Sequence, residues 1–94
     1  MIIVNEQKTL GSKGFARTVF DSISPALIKH LSKEQMNDIT SDVEFFSELD
    51  FSGLDRNEFN VVFMAVKQLT NLDKHWQGIL LRAMQADPRI LPNH

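Results

Sequence analysis

Eight carboxylates fall between residues 34 and 58: Glu34, Asp38, Asp42, Glu44, Glu48, Asp50, Asp55 and Glu58. Clustered acids can serve acid–base catalysis, hold a hard cation, or present a negative face to a basic partner. The cation reading meets the stretch Asp50-x-Ser52-Gly53-x-Asp55, which lacks the EF-hand ligand spacing and puts its glycine at the wrong position. Carboxylate pairs can move protons, but no nucleophile elbow or glycine-rich phosphate loop accompanies them. His30, His75 and His94 are isolated, with no ligand-pair spacing, and cysteine is absent. The expectation is therefore no enzyme, no cofactor and no metal. What remains is recognition.

Some of these acids have local duties. Asp55 caps a helix and Glu58, three residues on, completes a capping box. Glu34 and Glu44 suit first helical turns, where the helix dipole favours acids. Glu44 and Glu48 are like charges at i,i+4, which costs a helix about 0.2–0.5 kcal/mol. Local stability does not explain that pair. Three phenylalanines stand among the acids. Phe46 shares a face with Val43 and Leu49 and reads as core. Phe45 and Phe51 fall off that stripe. They either pack beneath a neighbouring helix, the usual fate of large apolar residues, or stand out as aromatic anchors ringed by carboxylates. The candidate partner-binding set is Asp42, Glu44, Phe45, Glu48, Asp50 and Phe51.

The net charge of −2 conceals a division. Residues 1–33 hold five Lys/Arg against two Asp/Glu, for +3; residues 34–58 hold eight acids against one base, for −7; residues 59–94 hold four bases against two acids, for +2. Such a layout bears on partners more than on fold. The dispersed bases and the acidic block argue against direct nucleic-acid binding.

The elements that must position these residues read as helices. Ser12 caps a segment running to about Ile23, with Phe15, Val19, Phe20 and Ile23 on one face. Ser24-Pro25 signals a new start, because proline at the first helical position loses no hydrogen bond. Ser32–Gln35 is a capping box opening a third helix, with a break expected near Thr40–Asp42 and a short helix over Val43–Leu49. Leu54, Asp55, Glu58 and Phe59 supply the staple and box of a central helix from about Arg56 to about Leu69, and Gly53 supplies the turn into it. A last helix, capped by Asn71 or Asp73, spans about Lys74 to Ala86 with Trp76 at the start of its core stripe. Asp87-Pro88 ends it. Met1–Val4 is either a short edge strand or an extended arm docked on a helix. The predicted fold is all-α: a compact single-domain bundle of five or six short helices, with 1–11 as arm and loop, 12–87 as helical core, and 88–94 as a tail docking through Ile90 and Leu91. Ninety-four residues suffice for one modest core. There is no signal peptide and no membrane span, so the expected location is cytoplasmic.

The stretch F-F-S-E-L-D-F-S-G-L-D-x-x-E-F-N-x-V-F-x-A-V, Phe45 to Val66, resembles small immunity proteins of bacterial toxin–immunity pairs, in particular those of contact-dependent growth inhibition systems. The resemblance covers about a quarter of the chain. It implies a small acidic cytosolic single domain that binds a cognate toxin domain, often a nuclease, and blocks its active site or a necessary cofactor contact; the chain is expected to be a monomer or weak dimer. No catalytic motif transfers with it. The rival expectation is a helical adaptor or regulatory domain, using an apolar groove lined by Met64 and Met84.

Overall fold

A computed structural model describes residues 1–5 and 8–90. Its elements, in chain order, are strands β1 (Ile2–Asn5) and β2 (Lys8–Leu10), helices α1 (Lys13–His30) and α2 (Lys33–Phe46), strand β3 (Leu49–Asp50), and helices α3 (Arg56–Lys67) and α4 (Lys74–Gln85). The domain is mostly helical, as expected, but its helices number four among the described residues rather than five or six. A three-stranded sheet of order β2-β1-β3 joins them.

Two expected helix breaks are absent. Pro25 lies inside α1, where it removes a hydrogen bond at a usual cost of about 3 kcal/mol. The carbonyl left over is that of Asp21, and the Ser24 hydroxyl donates to it at 3.3 Å. Ser24 is thus a back-bonding residue and not a cap. The stripe Ala16, Val19, Ile23 and Leu27 runs unbroken past the proline and is fully buried, so packing carries the helix through. In α2 the poor helix formers Ile39-Thr40-Ser41 also stay helical, because Ile39 and Val43, one turn apart, are both buried.

The real break comes at Ser47. It sits in the left-handed region, with φ 54, and its N–H closes the last turn on the Val43 carbonyl at 3.1 Å. The chain then turns away from the helical path. Leu49 enters the core from β3, and Phe46, expected beside it, is left 66% exposed.

Of the two readings of Met1–Val4 the strand is the one formed, though it lies in the middle of the sheet and not at its edge. β1 pairs antiparallel with β2 and parallel with β3, matching Ile2 with Leu49 and Ile3 with Asp50. The Phe51 N–H donates to the Ile3 carbonyl at 2.8 Å and extends the ladder. Ile2 and Val4 alternate into the core as a half-buried strand requires. At the entry to α1, Gly11 has φ +73, and a Cβ there would lie 2.6 Å from the Phe15 ring. A side chain at this position is excluded twice over.

α3 and α4 start as expected. The Asp55 carboxylate accepts from the Glu58 N–H at 2.8 Å, and the Glu58 side chain accepts from the Asp55 N–H at 2.9 Å. Asp73 caps α4 by accepting from the Trp76 N–H at 3.1 Å. Trp76 itself is not core: it is 43% exposed and lies against Phe15, with centroids 5.9 Å apart. The core gathers Phe59, Val62 and Val66 of α3, Leu80 and Met84 of α4, and residues of α1, α2 and the sheet.

The segment after α4 is no loose tail over its described part. Asp87 is buried at 4% exposed, and Ile90 packs on the core as expected; Leu91 and His94 lie outside the described residues. The Arg89 guanidinium uses all five of its N–H donors. Nε and Nη2 donate to the two Asp87 oxygens at 2.9 Å each, Nη1 to the Phe51 and Leu54 carbonyls at 2.6 and 2.9 Å, and Nη2 also to the Val4 carbonyl at 2.7 Å. Its carbon lies 3.9 Å from the Phe59 ring centroid. The Asn5 amide adds a donor to Asp87 at 3.2 Å.

The Arg89 hydrogen bond holds the Asp87 carboxyl down at about 2, against the opposing pull of burial. A folded-state value below the unfolded one means the ionised form stabilises the fold. That contribution, about 2 kcal/mol, is complete above the ordinary carboxylate range and is lost as pH falls from about 4 towards 2. Urea midpoints of the wild type and Asp87→Asn, measured from pH 6 down to pH 2, are expected to converge at the acid end. A gap that stays constant with pH would rule this out.

Candidate functional site

The structure places the expected site residues at and around the C-terminal half of α2. Successive residues of a helix turn by about 100°, so Glu34, Asp38, Asp42 and Phe45, spaced 4, 4 and 3 apart, form one longitudinal ridge. Ile39 and Val43 point the other way, into the core. Glu34, Asp38 and Phe45 are exposed, and Asp42 is half-buried. Each i,i+4 step separates like charges by about 6 Å along the axis. Among the described residues the one ion pair is Arg89–Asp87, so no acid of this ridge has a basic partner there.

Beside the ridge, the turn from β3 into α3 closes a cleft of about 200 Å³. Gln35, Asp38, Ile39 and Asp42 form its α2 wall, and Asp50, Ser52, Gly53 and Leu54 form the other. Asp50 is oriented by its own loop: one carboxylate oxygen accepts from the Ser52 N–H at 2.9 Å and from the Ser52 hydroxyl at 2.6 Å. Three carboxylates therefore share one small recess. Burial pushes the Asp42 carboxyl above its ordinary value, and the neighbouring Asp50 and Asp38 charges push it further. Here the folded value lies above the unfolded one. Ionised Asp42 thus opposes folding, and the penalty grows as pH rises through the folded value. Asp42→Asn is expected to melt higher than the wild type at pH 7, with the difference shrinking towards pH 4. A lower melting temperature for the variant at pH 7 would sink this account. Among the described residues, no group of three His, Asp or Glu could hold a metal ion.

The sequence-derived set divides in the fold. Asp42 and Asp50 line the cleft. Glu44 and Phe45 are exposed on α2, and Glu48 is half-buried in the turn that follows. Glu44 lies well off the ridge, about 120° from Asp38 around the helix. Phe51 must be withdrawn as an anchor: it is 0% exposed, because pairing beyond β3 points its side chain into the core. Asp38 joins the set; the i,i+4 spacing to Asp42 was its signal. Phe46 also joins the surface, and only the geometry of Ser47 reveals it.

The groove expected of an adaptor is not formed as described. Met84 is fully buried. Met64 lines a separate cleft of about 380 Å³ between α1 and α3, with Ala26, His30, Asn57, Val61 and Gln68 among its walls. No helix among the described residues is long and apolar enough to cross a membrane. Compared with protein families, curated proteins and solved structures, the chain gives no match in any of the three.

Proposed function

We propose that this chain is an immunity protein. It binds a cognate bacterial toxin domain with a basic active-site surface, a nuclease by preference, and occludes it with the acidic face of α2. The observation that carries this reading is the recess in which Asp38, Asp42 and Asp50 converge with no ion-pair partner among the described residues. Such a recess opposes the folding of the free protein, and a cation delivered by a partner relieves it. Electrostatic complementarity of this kind speeds encounter and selects partners. In an inhibitor the acids take positions that substrate phosphates would occupy. The reading assigns the chain no reaction and no cofactor, and puts it in the cytoplasm as a monomer or weak dimer.

The test is co-expression with the product of the gene encoded immediately upstream. The expected result is a co-purifying complex and protection of cells from that product's toxicity. Neither complex nor protection would overturn the reading and leave the acids as a solvated surface.

A further inference from the structure

Phe45 and Phe46 are consecutive, and they are 77% and 66% exposed at the C-terminal end of α2. Single exposed apolar residues are ordinary, but two adjacent phenylalanine rings in water are not. Neither ring is needed by the fold: the core closes beneath them through Val43 and Leu49. Around them stand Glu44 and Glu48, and Asp42 lies one turn back. The helix end adds its own negative pole, since the last carbonyls of a helix carry about half an elementary charge. That pole is met by the chain's own first residue, whose ammonium, on Met1, donates to the carbonyl of the α2 cap Ser47 at 2.8 Å.

We infer that Phe45 and Phe46 form the apolar anchor of the interface, seated between basic side chains of the partner protein that pair with the Glu44 and Glu48 rim. This rests on the inhibitor reading and deepens it. It fixes the contact at the α2 terminus and assigns the anchoring to a pair that includes Phe46. Charge selects the occupant. A second copy across a two-fold axis would set Glu44 and Glu48 against themselves. An anionic lipid surface would be repelled by the same acids. A basic protein surface satisfies both the rings and the rim.

The experiment compares the full-length wild type with Phe45→Ala/Phe46→Ala, using the upstream gene product as probe. Both positions are exposed and alanine is the better helix former, so the variant is expected to keep its melting temperature. Its affinity is expected to fall at least about 30-fold, the equivalent of about 2 kcal/mol. A complex of unchanged affinity in the variant would overturn the anchor and leave the inhibitor reading standing. No complex with the wild type would overturn both. Sedimentation of the free chain and flotation with phosphatidylserine vesicles are expected to show no dimer that depends on the two rings and no vesicle binding. A dimer or vesicle binding lost in the variant would assign the rings to that occupant and overturn the inference.

Discussion

Arg89→Ala is expected to cost the domain about 3–5 kcal/mol, the usual penalty for breaking a buried pair from one side. The reason is what it leaves behind. Asp87 would remain buried with a charge and no cation. The carbonyls of Val4, Phe51 and Leu54 would each lose a donor. Three parts of the chain meet at this guanidinium: the first strand, the loop into α3, and the segment after α4. Against a total stability of about 5–15 kcal/mol, such a loss leaves a large unfolded fraction near body temperature. Arg89→Lys is expected to recover only part, because one ammonium cannot span both Asp87 oxygens and three carbonyls. Urea denaturation measures this directly. A loss under about 1 kcal/mol for Arg89→Ala would mean the network is nearly neutral, as some surface pairs are. Double-mutant analysis with Asp87→Asn is expected to return a coupling well above the scatter of independent sites.

The second large effect concerns binding. Reversing Asp38 and Asp42 to lysine is expected to weaken the proposed complex with a toxin domain at least about 100-fold. Close interfacial charge pairs are coupled by about 1.5–7 kcal/mol, a range taken from a ribonuclease and its protein inhibitor, and here two contacts would turn repulsive. The association rate is expected to fall as well, and the wild-type rate to drop with salt, since screening shortens from about 10 Å at 0.1 M to about 3 Å at 1 M. The variant should still fold: Asp38 is exposed and Asp42 already opposes folding. Stopped-flow association across a salt series decides the matter. Rates that ignore both salt and charge reversal would point away from the ridge. A loss of binding in Met64→Ala instead would favour the cleft between α1 and α3 as the contact.

Much of the architecture could be read from local chemistry. Both capping boxes, the Asp73 cap, and the helices α3 and α4 follow from side chains within four residues of each other, and a single sequence holds that information. The failures share a cause. Pro25 and the Ile39–Ser41 run are local breakers that tertiary burial overrides. Ser47 adopts a backbone conformation that nothing in its residue type announces. β3 is two residues long, and it is a strand only because β1 lies beside it. From that single turn come two reversals at the site, Phe46 outward and Phe51 inward. Asp42, Asp50 and Phe45 were legible because helical spacing and composition place them. The Asp38–Asp50 recess was not, since its two walls come from different elements. Arg89 was missed for the same reason, because apart from Asp87 its partners lie 35 to 85 residues away.

The parallel pairing of β1 with β3, and the Arg89 contact with Val4, bind the start of the described chain to its later parts. On the ribosome this imposes an order. The helices and the β1–β2 pair can form as they emerge, but the parallel pairing of β1 must wait for Leu49, and the buried carboxylate must wait for the arginine two residues behind it. Loops of such length close slowly relative to local turns. A nascent chain stalled before residue 89 would carry α2 and its acids without the clasp that fixes them. The acidic face would then be fixed only once residue 89 has cleared the exit tunnel.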